Sequence, residues 1–429
     1  MNVKLTAGIT LGAAAAALIL MIVMSGPSDD TRSDSRDRDK RLEKLRSVPY
    51  TSVTPHEVDA SVSGVRFHRQ GDTHDGYNLY CPRNLPEVVL MDMAGETVHK
   101  WIYGKLGPYG SIHAVMLDNG DAIVLGRTTG IISMIKIAWD SRLIWKFDAP
   151  VHHEIALLPD GSFYTFVQDV QTHRGLEVDF SFVCLYSSAG VELQRWSLRD
   201  RLDDFSQALD RSSFLDTVLD SMYAAGDSIR IQQDTPENLK DYRKKWQRPV
   251  YDYFHPNAIS VLPDTPLSRR DRRFRAGNLM VCFRNVNQIA ILDKESCEVL
   301  WAWGEDILDL PHHPTMLHNG NILVFNNGVE KQSSTVIELD PFTKEIKWEY
   351  GVNPSRRFYS FSKGSAQRLP NGNTLICDSD NGHAFEVTGD REIVWEWFGP
   401  VDEKSRRVQI YRMERLERSL IDPLLATSP

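Results

Sequence analysis

The sequence predicts an all-β protein, a six-bladed β-propeller with a helical insertion and an N-terminal transmembrane or signal-anchor helix. Three observations lead there. A short β-rich segment ending in Trp recurs six times, at Trp101, Trp145, Trp196, Trp301, Trp348 and Trp395. A turn followed by an apolar run recurs between them, as in LDNGDAIVL from Leu117 and LPNGNTLIC from Leu369. The Trp-to-Trp intervals of 44, 51, 105, 47 and 47 residues suit one four-stranded blade each, the long one holding an insertion. A β-sandwich needs no six similar units, and a parallel α/β fold would show helices between the strands.

In chain order, Leu5 to Met24 is an uncharged run of twenty residues, long enough as a helix to cross the hydrocarbon core of a bilayer. Residues 1–25 are therefore read as a membrane anchor. A Val23-x-Ser25 pattern would permit cleavage as a signal peptide, but the run is longer than the apolar core of such peptides. No Cys follows it within a lipobox, which argues against lipidation. Residues 26–60 mix Arg32, Arg36, Arg38, Lys40, Arg41, Lys44 and Arg46 with interleaved acids and read as a solvated tether. These cations, against Lys4 alone before the span, would by the positive-inside count put the body in the cytoplasm.

Residues 61–416 hold the propeller. Each Trp segment, such as VVLMDMAGETVHKW or AFEVTGDREIVWEW, is a hairpin half-blade, and LPDGSFYTF from Leu158 and LHNGNILVF from Leu317 repeat the other half. Asn-Gly and Asp-Gly supply the positive φ of a tight turn, and the β-branched and aromatic flanks suit a pleated, half-buried surface. An interrupted copy runs from LPD at Leu262 to GNLMVCF. GYNLYC from Gly76 and VQIYRMERL from Val408 are expected to close the ring. The insertion, about 198–248, carries Leu198, Leu202, Phe205 and Leu209, then Leu215, Val218, Leu219 and Met222, at helical spacing. Two amphipathic helices are expected to cover one end of the propeller. Ser268 to Arg275, with five Arg, reads as a solvated loop, and residues 417–429 as a C-terminal tail.

With 41% hydrophobic and 25% charged residues the chain has the composition of a folded protein, and a core of ample size is available to its 429 residues. The excess of 58 acids over 49 bases leaves a formal charge of −9, so no global basic field exists to hold a nucleic acid. Five scattered Cys without a CxxC pair allow at most two disulfides and indicate no thiolate metal site.

The chemistry is expected just before the turns. His153 stands seven residues before Asp160, and His312 seven before Asn319, the same repeat position. His255 in YDYFHPN precedes the corresponding turn of the blade between them, and His113 lies off register before LDNG. Equivalent positions of successive blades converge at the axis, so three imidazoles are aimed at one region. Two of these blades carry doublets, His152-His153 and His312-His313. Three imidazoles could bind a metal, but Arg284 in FRN opposes a cation and favours an anion. No metal or cofactor is assigned.

At these residues the chain resembles the bacterial arylsulfotransferases, the PAPS-independent enzymes built on a six-bladed propeller. GYNLY with LMDMAGETVHKW resembles the family's opening blade, DYFHPN its Asp-aromatic-x-His-x-Asn motif, and CFRN its Ser-x-Arg motif. HHPTMLHNGNILVFNNG is similar to the Gln-His-Asp…Leu-Pro-Asn-Gly-Asn segment, and GSAQRLPNGNTLI to the last blade. The resemblance covers about Gly64 to Leu416. It implies ping-pong sulfuryl transfer from an aryl sulfate to a phenol through a sulfohistidine, with those two small molecules as partners. His312 matches the nucleophile, and a one-residue shift would make it His313, since His313-Pro314 stands where the family has Asp. His255 and Asn257 would bind the sulfuryl oxygens and assist proton transfer, Arg284 would balance their charge, His153 would complete the clamp, and His152 and His313 would be further substrate-binding residues. Against the positive-inside count, the family's habit implies a propeller on the periplasmic side of an inner membrane. Two other readings compete: a noncatalytic, membrane-anchored binding platform, and a quinone-dependent dehydrogenase, for which the eight blades and vicinal Cys pair are missing.

Overall fold

A computed structural model describes residues 53–83, 85–104, 111–128, 131–173, 176–208 and 250–427. Six antiparallel sheets, five of four strands and one of five, stand around a common axis, and their innermost strands contact one another in cyclic order. From the axis outward, blade 1 is Ile410–Leu416, Tyr77–Pro82, Glu87–Met91 and Thr97–Ile102. Blade 2 spans Ser111–Met116 to Leu143–Asp148, and blade 3 begins at Val151–Leu157 and ends at Glu192–Ser197. Blade 4 runs Pro256–Val261, Leu279–Phe283, Gln288–Leu292 and Val299–Trp303. Blade 5 runs from His312–Met316 to Ile346–Tyr350, and blade 6 from Ser365–Arg368 to Ile393–Phe398.

The recurring turns fold identically because the same backbone bonds close them. In blades 2, 3, 5 and 6 the Leu carbonyl accepts from the turn Gly at 2.9 Å, and the Leu amide donates to the residue after that Gly at 2.8 Å, as Leu117 does with Gly120 and Asp121. The interrupted copy makes the same pair across its insertion, Gly277 N–H to Leu262 O at 2.9 Å and Leu262 N–H to Asn278 O at 2.8 Å. Residues between those two points are thus looped out without disturbing the blade. In that loop Arg269 and Arg273 pair with Asp264 and Asp271, while Arg270, Arg272 and Arg275 are exposed.

The repeated Trp has a joining role. Trp101 Nε1–H donates to Gly120 O of the next blade at 3.1 Å, Trp145 to Ser188 O at 3.2 Å, and Trp348 to Gly389 O at 2.8 Å. Trp395 of blade 6 donates to Met93 O of blade 1 at 3.0 Å, which closes the circle. Between blades the second and third strands bury both faces, so their sequences are continuous apolar runs such as LMVCF and QIAIL.

Closure is double. The late strand Ile410–Leu416 is innermost in blade 1, as expected, and Gly64–His68, which the alternation does not single out, adds a fifth, outermost strand to blade 6. Two boundaries differ from the sequence reading. Residues 53–60 of the 26–60 tether are docked: Thr54 is buried and its amide donates to Arg407 O at 2.8 Å. The C-terminal tail forms helix Arg418–Ala426, whose Ile421 enters the core between blades 1 and 2.

Of the insertion, a 3₁₀ turn, Leu198–Arg201, and a helix, Leu202–Ala208, are described, whereas Leu209 and the expected second helix at Leu215 to Met222 lie outside the described residues. Phe205 is buried against Phe254 and Phe283 at 5.1 and 4.9 Å between ring centres, within the core shared by blades 3 and 4. A small three-stranded sheet is also inserted there, in which Leu176–Asp179 pairs in parallel with Val250–Asp252 and sets Asp179 beside Asp252. The anchor at residues 1–25 lies outside the described residues, among which no helix is long and apolar enough to cross a membrane. All five Cys are buried, and none is joined in a disulfide.

Candidate functional site

The innermost strands all begin on one face of the ring, and the turns that follow each blade's second strand return to it. That topology brings His152 and His153, His255, Arg284 and His312 to the same end of blades 3 to 5. The entry of each of these innermost strands is bulged. His152 pairs with Phe166 and His312 with Phe325, after which the register shifts. Blade 3 fits one residue more into its bulge than blade 5 does. Counting from the turn therefore matches His153 with His312, whereas strand pairing matches His152 with His312. The backbone is left-handed at His153, His255 and His313, with φ of +63°, +46° and +47°. Such a conformation costs a non-glycine residue roughly 1–3 kcal/mol and is held only where surrounding contacts enforce it.

Those contacts are specific. His312, 4% exposed, places Nδ1 at 2.7 Å from Asn327 Oδ1 and 3.1 Å from Leu310 O. Both partners are acceptors, so Nδ1 carries the proton and Nε2 the lone pair of the neutral ring. The orientation of Asn327 is itself fixed, because its amide nitrogen donates to Ser360 O at 2.6 Å and Lys363 O at 2.9 Å. On the other side of His312, Pro311 O accepts from Asn257 Nδ2 at 2.9 Å and from the Cys282 thiol at 3.1 Å. Asn257 thus supports the strand entry from beneath.

His255 is held by Asp252, whose Oδ2 accepts from Nδ1 at 2.5 Å and whose Oδ1 accepts from the His255 amide at 2.9 Å. The His255 and His153 rings meet edge to face, 4.6 Å between centres. His153 Nδ1 lies 2.8 Å from His152 Nδ1, and His152 Nε2 is 3.2 Å from Ser181 Oγ. His152 therefore backs His153 rather than standing beside it. Arg284, 7% exposed, donates from Nη1 to Asn285 Oδ1 at 3.1 Å, while its Nε is buried without a hydrogen-bond partner.

His313 is not brought to this group. Its Nδ1–H donates to Ala366 O at 3.1 Å, and its charged neighbours are Arg412, Glu154 and His113. There Glu154 takes both guanidinium nitrogens of Arg412, at 3.2 and 2.5 Å, with His113 Nε2 at 2.8 Å. The doublet at residues 312 and 313 feeds two separate clusters.

The electrostatics favour neutral imidazoles at His152, His153 and His312. Burial, then the Arg284 charge, depresses His312 to about 3, and burial with its neighbours His255, His152, His312 and Arg284 pushes His153 well below the usual range. Burial, helped by the neighbouring His255 and opposed by the Asp252 charge, takes His152 down to about 4. Burial would raise the Asp252 carboxyl, but the adjacent His255 outweighs it and keeps Asp252 ionised, whereas burial and the Asp252 charge push Asp179 up. A buried Arg N–H without a partner, surrounded by uncharged rings, suits an anion with several oxygens. Among the described residues no grouping of three or more His, Cys, Asp or Glu is arranged to hold a metal ion.

Comparison with known proteins bears on what that anion is. A model of the arylsulfotransferase (ASST) family matches residues 113–399, about two thirds of the chain. The chain belongs to the arylsulfotransferase family. The matched span includes every residue of the cluster. No curated protein matches the sequence. Among solved structures, a protein of unknown function from Bacteroides caccae aligns with a TM-score of 0.49 at 12% identity, over 79% of this chain and 98% of that one. Virginiamycin B lyase from Staphylococcus aureus gives 0.36 at 12% identity, over 68% and 71%. A functionally unknown protein from Desulfotomaculum acetoxidans gives 0.42 at 12% identity, over 78% and 98%.

Family membership points to sulfotransferase chemistry in general terms. In this arylsulfotransferase-family chain three residues of the cluster were not singled out by sequence. Asp252 and Asn327 lie within the quoted motifs, three residues before His255 and fifteen after His312, but their partnership is visible only in three dimensions. Asp179 comes from the inserted sheet, and no sequence signal announces it.

Proposed function

We propose that the protein transfers a sulfuryl group from an aryl sulfate to a phenolic acceptor by a ping-pong route, through a sulfohistidine at His312 and without a nucleotide donor. The observation that carries this reading is the neutral His312 ring, with Nδ1 bonded to Asn327 and Nε2 holding the lone pair, next to the Arg284 charge. A neutral imidazole can attack sulfur, and a cation beside it stabilises the charge spread over the equatorial oxygens. Arg284 Nε–H and the imidazole of His153 are the groups suited to those oxygens, with His255 to protonate the departing aryloxide. Asn257 positions the strand entry. His152 and His313 act, in this reading, on the position of His153 and on the neighbouring cluster.

The test is to expose the full-length protein to an aryl sulfate without acceptor, quench at alkaline pH and search the peptides for an added sulfuryl group. The modification is expected on His312 and is expected to vanish when phenol is added before the quench. Donor consumption without modification of His312, or no consumption of any aryl sulfate, would overturn the reading.

The uncharged run Leu5–Met24 and the family's habit support, in addition, an anchor that leaves the propeller on the extracytoplasmic side. A C-terminal alkaline phosphatase fusion should be active, and an inactive one beside a fluorescent cytoplasmic fusion would overturn it.

A further inference from the structure

Two imidazoles of the site use the same atom for support and receive different partners. His312 and His255 each commit Nδ1 to a supporting side chain, but His312 meets the neutral amide of Asn327 and His255 the carboxylate of Asp252. Both supports are built in rather than incidental. Asn327 is fully buried and pinned through its nitrogen by two backbone carbonyls. Asp252 spends its second oxygen on the His255 amide, and its backbone carbonyl accepts from Asn285 Nδ2 at 2.7 Å. Asn285 in turn accepts from Arg284, so Asp252, His255 and Arg284 form one framework.

We propose that Asn327 and Asp252 are the positioning residues that divide the work between the two histidines: Asn327 reserves His312 as the nucleophile, and Asp252 makes His255 the proton carrier. The assignment of roles rests on the sulfuryl-transfer reading, while the assignment of tautomers does not. The Asp252 carboxylate lies against the His255 ring and can compensate the charge of a proton carrier, whereas the Asn327 amide offers His312 no such charge. With Nδ1 committed to Asp252, the proton His255 exchanges travels on Nε2.

The balance of the reaction follows. In the donor step the Nε2 lone pair of His312 forms the N–S bond while the S–O bond breaks, its electron pair passing to the aryl oxygen, which takes the Nε2 proton of His255. The products are the phenol, a neutral His255, and a sulfonated His312 ring that keeps its Nδ1 proton and is therefore cationic. In the acceptor step the phenol oxygen attacks sulfur, its proton goes to His255 Nε2, and the N–S electron pair returns to His312. A neutral acceptor at Nδ1 matters most here, because a carboxylate would stabilise the cationic ring and make it a poorer leaving group.

The experiment uses the full-length chain with ¹⁵N-labelled histidine. Long-range ¹⁵N–¹H spectra between pH 5 and 8 should show His312 as the Nδ1–H tautomer throughout and, in Asn327→Asp, as an imidazolium at the low end. Asp252→Asn is expected to lower turnover little with 4-nitrophenyl sulfate, whose leaving group is acidic, and by roughly 100-fold with unsubstituted phenyl sulfate. Asn327→Asp, which also gives up the amide bonds to Ser360 O and Lys363 O and is checked for folding by a thermal melt, should slow transfer to phenol at least about tenfold more than the donor burst. Equal losses with both donors in Asp252→Asn would reduce Asp252 to a structural prop and overturn the proposal. A His312 ring that is Nε2-protonated in the unaltered protein would overturn it without any variant. If the tautomers are as stated but no aryl sulfate is consumed, the sulfuryl-transfer reading and the division of roles fall and the two supports stand.

Discussion

His312 and His313 are neighbours in the chain, yet His312 bonds Asn327 beside Arg284, while His313 bonds Ala366 O beside the Glu154–Arg412 pair. The bulge at the strand entry turns one toward each cluster. His312→Ala should therefore abolish nitrophenol release from 4-nitrophenyl sulfate in the presence of phenol. His313→Ala should retain at least about a tenth of it, because His313 meets none of the proposed reacting groups. Initial rates of the two variants, with thermal melts to confirm folding, decide the matter, and the reverse pattern would move the nucleophile by one residue.

His313 also makes a pH prediction. Burial, followed by the Arg412 charge, holds it at about 3, so the folded state keeps it neutral while the unfolded chain protonates it near 6.5. Its contribution to stability is complete above about pH 6.5 and is lost as the pH falls from there toward 3, at up to about 1.4 kcal/mol per pH unit. Raised carboxyls such as Asp378, pushed up to about 6 by burial, act in the opposite sense over part of that window, so the total slope is a difference. Replacing His313 by Gln should flatten the decline between pH 6 and 4.5 by about one proton. Urea denaturation at several pH values measures it, and an unchanged slope would contradict a neutral buried His313.

The indole latch between blades 6 and 1 should be worth measuring alone. Trp395 is fully buried and donates to Met93 O, so Trp395→Phe leaves that carbonyl short of a partner. A loss of roughly 1–3 kcal/mol is expected by denaturant titration. A loss below about 0.5 kcal/mol would show that burial of the ring, rather than its N–H, joins these blades.

Lys363 and Asp380 form an ion pair that is almost wholly buried, and Asp380 also holds Ser360 Oγ and the Ser362 amide at 3.0 and 2.7 Å. Lys363→Met alone should cost about 3–5 kcal/mol by stranding the carboxylate, and adding Asp380→Asn should recover part of it. The backbone of Ser360 and Lys363 anchors Asn327, so the single variant should also lose sulfuryl-transfer rate. A double-mutant cycle on stability and rate tests both, and strict additivity would refute the coupling.

Much of the architecture was legible in the sequence because propeller blades repeat. The Trp segment recurs in all six blades and the turn with its apolar run in five, so weak signals reinforce one another. Gly64–His68 escaped notice because its pattern is short and half exposed, and an added edge strand belongs to no repeat. In the site, His153, His255, Arg284 and His312 were found by register and motif. The distinction between His152 and His153 was not, since an extra residue in a bulge leaves no mark on composition. Asp252 and Asn327 gain their meaning from partners brought together by folding, and a lone Asp or Asn before a turn has many ordinary uses.

The two closing strands have a consequence for how the chain is made. Blade 1 lacks its innermost strand until residues 410–416 exist, and blade 6 takes its outermost strand from residues 64–68, more than three hundred positions earlier. No ring can be completed on a growing chain, and the strand pairs that seal it join residues more than three hundred positions apart. Acquisition of the native state should therefore be slow and late, with an open arc of blades exposing unpaired strand edges beforehand. A chain ending before Ile410 should remain in that state and be cleared by proteolysis, however intact its histidine cluster.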